Sequence, residues 1–303
     1  MALENVSFNQ ILIFISVAEN QGFLKASSQL HLTQSAVSKS VAKLEKDLKL
    51  PLFKRTTRQL QLTKEGKQLY EAWKPMMVSM QTAYQHVLHS YIEGARVLRV
   101  GLVSTVVTEK YFTAIQKAVR EELPQVRLQI IIESMAQLER MILEGELDVA
   151  FLPDFEHFFL DAHHISWIWY MKKHARLLLS TSHPLAARHA VSMEEILDER
   201  FVTLQDNNQG NYERDLKERF ADYGAVPNIV QPYDSAYALR NLFRPEQEVL
   251  FVDQFFDNIT YEDTASLMIE DEWNGIICAW VDTGSEVLQD FLRQVRRNAV
   301  IEE

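Results

Sequence analysis

An α/β body preceded by an α-rich head is the fold class this sequence predicts, and three observations predict it. Residues 8–66 carry short apolar stripes at helical spacing, residues 64–92 carry one long stripe, and from Leu98 onward apolar strands alternate with amphipathic helices. With 303 residues, 47% of them hydrophobic, the chain can build two or three packed units.

The head comes first. Phe8, Ile11, Leu12, Phe14, Ile15 and Ala18 give a first helix a broad apolar face that ends near Gly22. Leu24, Ala26, Ser27 and Leu30 suggest a short second helix. His31-Leu32 then turns the chain, and Thr33 is placed to cap the helix that follows. In that third helix Val37, Val41, Leu44 and Leu48 form one stripe to be buried. The opposite face offers Gln34, Ser35, Ser38, Lys39 and Lys43. Gln can bond an adenine edge through two hydrogen bonds, Ser can reach base edges or phosphates, and Lys can reach guanine or phosphate, the chemistry of a helix lying in the major groove. Lys54, Arg55, Arg58 and Lys64 follow where a basic loop would meet the DNA backbone. An ordinary solvated helix and loop would carry the same charges, so the charges alone do not decide.

The residue order does. SQLHLTQSAVSKSVAKLEKDLKLPLFKRTTRQLQLTKEGKQL resembles the N-terminal winged helix-turn-helix of the LysR-type transcriptional regulators over roughly the first 60 residues. The likeness lies in the Ala/Ser-rich second helix, TQSAVSK opening the third, Leu44-Glu45, Pro51 to Phe53, Arg55 to Arg58, and Leu62 to Gly66. Ser35 stands where many members have Pro and Lys39 where many have Arg, so a base preference is not carried over. The resemblance implies double-stranded DNA as partner, a head over 1–66, a linker helix over 67–93 and a two-lobed effector domain over 94–303. Thr33, Gln34, Ser35, Ser38, Lys39, Lys43, Arg55 and Arg58 are its expected DNA-binding residues.

The linker helix reads from about Lys64 to Ile92. Leu69, Trp73, Met76, Met80, Tyr84, Val87 and Tyr91 fall three or four apart, close to a coiled-coil seam, although Pro75 inside it removes a backbone hydrogen bond. A helix packed on its own domain would show the same spacing; the resemblance implies a homodimer through this helix. Homotetramers are common in the family. The first 93 residues hold 11 Lys/Arg against 7 Asp/Glu and the rest 20 against 35, so of the net charge of −11 the head carries +4 and the body −15, and the head is the part drawn to DNA.

In the body, RVLRVGLVS, VRLQIIIES and LDVAFLP read as strands, with helices around Tyr111 to Glu121 and in MAQLERMILEGE between them. ARLLLS, RFVTLQ, NIVQPY and EVLFVD read as later strands; YERDLKERFADYG, SAYALRNLF and the tail EVLQDFLRQVRRNA read as helices. Open α/β sheets bind ligands at the carboxyl ends of their strands, and Ser104, Thr105 and Ser134 fall there, although hydroxyls at such places also cap helices. The resemblance implies a periplasmic-binding-protein-like pair of lobes, one over about 94–160 and 267–303, the other over about 161–266, with a small-molecule effector between them. Ser104, Thr105, Ser134, Leu204 and Gln205 are the expected effector-binding residues. The chain departs from the family at Gln205 to Gly210, where a Gly/Ser loop is common, and at EQEVLFVDQFF, where glycines and a proline are usual. Phe151, Phe155, Tyr212, Tyr233 and Tyr237 could line the pocket or simply fill the core.

No GxSxG, GxGxxG, P-loop, HExxH or paired CxxC occurs, so no enzyme is expected, nor any cofactor beyond the effector. His157, Asp161, His163 and His164 make the only metal-like cluster and are read as a loop near the lobe crossover. The single cysteine, Cys278, suits a reducing cytoplasm and behaves as a small hydrophobe; the alternatives to effector control are a DNA-binding protein with no effector response or a redox- or metal-sensing variant. Ile11 to Ala18 is too short to span a bilayer, so the chain is expected in the cytoplasm, acting on DNA and, as an activator, on RNA polymerase.

Overall fold

The computed structural model describes residues 5–55, 60–93, 96–104, 108–204, 210–233, 244, 248–252 and 263–302. It divides into two compact units, residues 1–81 and 82–303.

The head unit holds α1 (Phe8–Glu19), α2 (Phe23–Gln29), α3 (Gln34–Leu48), a wing of β1 (Phe53–Arg55) and β2 (Leu60–Leu62), and the first turns of α4 (Lys64–Glu93). Helix α1 stops at Glu19, short of Gly22, which instead caps α2 with extended backbone. Ser7 and Gln10 close a reciprocal capping box on α1, satisfying two backbone N–H groups at once. Val37, Val41 and Leu44 of α3 are buried while Leu48 is only partly so. Val37 and Val41 pack with Ile13, Val17 and Ala26; Leu44 packs with Phe14, Ile15 and Leu52. Phe14 is central, edge-on to Phe53 at 5.5 Å and to Trp73 at 5.8 Å. Helix α4 runs unbroken past Pro75. Its apolar residues divide: Leu69 and Trp73 join the head core, whereas Met76, Met80, Tyr84 and Val87 are more than half exposed, at 62%, 54%, 61% and 67%.

The body is one mixed sheet. Its main path runs β4 (Arg127–Glu133), β3 (Val97–Val103), β5 (Val149–Pro153), β11 (Thr264–Trp280), β6 (Ser166–Ser180), β10 (Val249–Val252), β8 (Arg200–Leu204) and β9 (Asn228–Tyr233). The short β7 (Ala190–Val191) adds to β11 and β12 (Val300–Ile301) to β6. Outer strands pair in parallel, β4 with β3, β3 with β5, β10 with β8 and β8 with β9, as strand-helix alternation requires. Helices α5 (Thr108–Glu122), α6 (Met135–Leu143), α7 (His157–Ala162), α8 (Asn211–Ala221) and α9 (Glu286–Arg297) complete the described set. The expected helix SAYALRNLF lies outside the described residues.

Two long strands join the halves, and they depart from the sequence reading. Strand β6 extends well before ARLLLS, and β11 was not expected at all, because the acidic run Glu270-Asp271-Glu272 breaks its apolar pattern. The register shifts between Met268 and Trp273, so that run is an irregularity within a strand. Residues 166–174 pair with 273–280 of β11, whose end pairs with β5, while 176–178 pair with β10. The chain therefore crosses between halves near 175 and 270, and 166–174, expected in the second lobe, belong to the first. Gly275 permits the close strand approach: a Cβ there would lie 2.0 Å from the Met171 carbonyl oxygen. The segment EHFFLDAHHIS, expected as a loop, is largely the short helix α7 after a single 3-10 turn.

Candidate functional site

In the head, the polar face of α3 points outward. Thr33, Gln34, Ser35, Lys39 and Lys43 are exposed and Ser38 is half-buried, held there because Val37, Val41 and Leu44 anchor the opposite face. The turn before α3 is tight: Leu32 N–H donates to Ser27 O at 2.9 Å and His31 takes a left-handed φ of 53°. Thr33 Oγ1 accepts from Ala36 N–H at 3.3 Å and lies 3.2 Å from Ser35 Oγ, so Thr33 is committed to the helix cap. Gln34, Ser38, Lys39 and Lys43 remain on the outward face with no such cap to serve.

The wing is tied to α3 and α4 by residues whose role the sequence did not disclose. Glu45, on α3, accepts from the backbone N–H groups of Leu52 at 2.7 Å and Phe53 at 3.1 Å, fixing where the wing begins. Thr63 Oγ1 donates to Pro51 O at 2.7 Å and accepts from Gly66 N–H at 2.9 Å. At Gly66 a Cβ would stand 2.1 Å from Leu52 O, so only glycine admits that contact. An acid and a Thr-x-x-Gly within a basic stretch were the available signals. Lys54 is exposed on β1 and pairs across the ladder with exposed Gln61. Arg55 ends β1 with its side chain outside the described residues, and Arg58 lies outside them altogether.

In the body, Ser104 and Ser134 follow the carboxyl ends of adjacent parallel strands, β3 and β4, and both are exposed. Ser104 N–H donates to Glu133 O at 2.8 Å. Ser134 caps α6, its hydroxyl accepting from Gln137 N–H at 3.4 Å. Leu204 ends β8, its side chain outside the description, and Thr105 and Gln205 lie outside the described residues. A cavity of about 340 Å³, lined by residues including Val119, Arg120, Val126 and Leu128, opens at the amino end of β4, away from Ser134. Phe151, Phe155 and Tyr212 are buried, Phe155 edge-on to Tyr212 at 5.3 Å, and so serve as core. Tyr233 ends β9, its side chain outside the description, and Tyr237 lies outside the described residues.

The alternative sensing groups are otherwise engaged. Nδ1 of His157 is 2.9 Å from Asp154 O, Nδ1 of His163 is 2.7 Å from Phe159 O, and Asp161 accepts from Trp167 Nε1 at 2.9 Å. Among the described residues no group of three or more His, Cys, Asp or Glu is placed to hold a metal. Cys278 is fully buried in β11, and burial pushes its thiol well above the usual range.

Comparison with known proteins covers both units. Residues 8–67 match the family described as bacterial regulatory helix-turn-helix protein, lysR family, and residues 93–252 match the LysR substrate binding domain. The HTH-type transcriptional regulator AlsR of Bacillus subtilis is 24% identical over 285 residues, 92% of each chain. The HTH-type transcriptional regulator AceR of Acinetobacter baumannii is 30% identical over 209 residues, 68% of each. Among solved structures, full-length BenM superposes with a TM-score of 0.53 at 19% identity, covering 96% of both chains. Full-length CbnR in complex with its target DNA gives a TM-score of 0.51 at 18% identity, covering 97% of this chain and 99% of that one. Among the described residues no helix is long and apolar enough to cross a membrane.

Proposed function

The chain belongs to the LysR family of bacterial helix-turn-helix transcriptional regulators, and from that premise we propose how its own residues act. It binds DNA through α3 as a homodimer joined along α4, and a small-molecule effector held at the strand ends of the body controls it. Gln34, Ser38 and Lys39 read base edges; Lys43 and Lys54, with Arg55 and Arg58, hold phosphates. The observation that carries this is the outward polar face of α3, anchored by three buried residues and flanked by a wing that Glu45 and Thr63 fix in place. Met76, Met80, Tyr84 and Val87 supply an apolar stripe for a second copy, which would present two reader helices to two half-sites. Ser104 and Ser134, beside the amino end of α6, suit a small anionic effector. The protein acts in the cytoplasm, needs no cofactor and catalyses no reaction.

Gln34→Ala tests the assignment against Lys54→Ala. Loss of Gln34 relaxes specificity at one base pair by about 1–3 kcal/mol, whereas loss of Lys54 weakens all sequences alike and flattens the salt dependence. Binding of both variants to a selected operator, its point variants and random DNA decides. Equal losses on every DNA for both substitutions would remove α3 as the reader.

A further inference from the structure

The halves of the body meet at buried charges that neither DNA reading nor effector binding uses. Arg219, on α8 of the second half, donates through Nε to Asp215 at 2.7 Å and through one terminal nitrogen to Asp154 at 3.2 Å. Its other terminal nitrogen donates to Glu272 at 2.6 Å and to the Trp273 carbonyl at 2.7 Å. Asp154 belongs to the turn after β5, in the first half, and its other oxygen accepts from Gly275 N–H at 3.2 Å. Glu272 and Trp273 lie where β11 shifts register and the chain crosses between halves. The same seam holds Asn211 Nδ2 donating to Glu156 at 3.2 Å and Tyr212 edge-on to Phe155 at 5.3 Å. Asp271, one residue from Glu272, is fastened to the second half by Met193 N–H and Tyr223 O–H, both at 2.8 Å.

Among the described residues, carboxylates outnumber the guanidinium they surround. Asp215 from α8, Asp154 from the turn and Glu272 from β11 share one guanidinium, and every one of these side chains is 15% exposed or less. Among the described residues, Asp271 on β11 adds to the negative side, β6 brings Lys172 over the Trp273 ring at 4.8 Å and His174 stacked on that ring at 5.3 Å, and β10 brings the Phe251 ring, 5.3 Å from the guanidinium. Like charges crowded in a low dielectric bind a proton more tightly than the same groups apart in water, and that proton belongs to the cluster as a whole.

We propose that the Arg219 cluster is a proton-dependent latch between the two halves of the body: a proton bound among its carboxylates favours the joined arrangement, and its release eases separation. Burial, the largest influence on Asp154, raises its pKa; Arg219 opposes this and Asp215 adds to it, leaving Asp154 pushed up to about 6. Burial likewise raises Glu272. A carboxyl whose pKa is higher when joined than when solvated stabilises the joined state at low pH, and that contribution is lost as pH rises through about 6. Cytoplasmic pH thereby becomes an input to the regulator beside its effector. The latch rests on the body's geometry alone, so its failure leaves the DNA-reading assignment standing.

Because the single cysteine is buried, spin labels can be placed on the full chain at Gln129→Cys in the first half and Val226→Cys in the second, both exposed. The labelled chain is diluted with unlabelled protein so that only distances within one chain are read. Between about pH 5 and pH 8 the label distance is expected to lengthen or broaden, centred near the pH at which the cluster titrates. Asp154→Asn, which keeps the acceptor for Gly275 and removes the charge, is expected to hold the low-pH distribution throughout; Glu272→Gln serves as the second variant. A distribution that does not change with pH, or one that changes in both variants as it does in the parent, would overturn the latch. So would a variant that is open at both pH values, because the ionised pair would then be what holds the halves together.

Discussion

The outward face of the head and the core of the body use cations in opposite ways. Lys39, Lys43 and Lys54 of the head are exposed, whereas in the body Arg99 is buried and Arg219 largely so, its side chain 14% exposed. Arg99 grips Asp148 through two side-chain bonds, at 3.1 and 2.7 Å, and Asp148 also accepts from Arg99 N–H at 2.7 Å. A surface cation contributes little to folding and is available to a partner; a buried, paired one is part of the fold, and removing it strands its carboxylates. One substitution chemistry should therefore report on binding in the first unit and on stability in the second.

The sharpest contrast comes from Arg219→Met against Lys39→Met. Removing Arg219 leaves Asp154, Asp215 and Glu272 without their shared cation and is expected to cost about 3–5 kcal/mol, read as a fall in the body's unfolding transition. Removing Lys39 is expected to change stability by less than about 0.5 kcal/mol while weakening operator binding. A Lys39 variant as unstable as the Arg219 variant would break the distinction.

What could be read in the sequence follows the same division. The head is local: caps, turn, buried stripe and basic wing lie within sixty-odd consecutive residues, so spacing and residue order reveal them. Even there, Glu45 and Gly66 act through the backbone of Leu52, an acceptor and a neighbour that no periodicity marks. In the body the parallel strands and their helices were legible, because each buries an apolar stripe of its own. Strand β11 was not, since its acidic irregularity is compensated by Arg219 and Tyr223, some fifty residues earlier. The strand-end hydroxyls of Ser104 and Ser134 were located by topology; of the residues expected opposite them, Leu204 ends β8 and Gln205 lies outside the described residues.

Helix α4 tests whether the two roles can share one element. Leu69 and Trp73 serve the head core, while Met80 and Val87 serve no partner within the described chain. Met80→Glu with Val87→Glu is expected to leave the folded chain intact, dissociate the dimer and reduce affinity for a two-half-site operator about a hundredfold, roughly 3 kcal/mol. Sedimentation that finds an intact dimer with unchanged operator affinity would move the contact off this stripe.

The smallest effects should come from the strand-end serines. Ser134 is a helix cap, so Ser134→Ala is expected to lower the body's stability by about 1 kcal/mol even without ligand. Ser104 offers its hydroxyl to solvent while its backbone N–H holds Glu133, so Ser104→Ala should leave stability nearly unchanged. A thermal-shift screen of the full chain against small organic acids and aromatic metabolites then separates the roles. A compound that stabilises the parent should stabilise Ser104→Ala less, because the exposed hydroxyl has only a ligand to lose. Its stabilisation of Ser134→Ala should fall as well, on top of a baseline already lowered by the missing cap. Undiminished stabilisation of both variants would place the effector away from the β3 and β4 ends, and the groove beside Arg120 and Leu128 would become the next site to substitute.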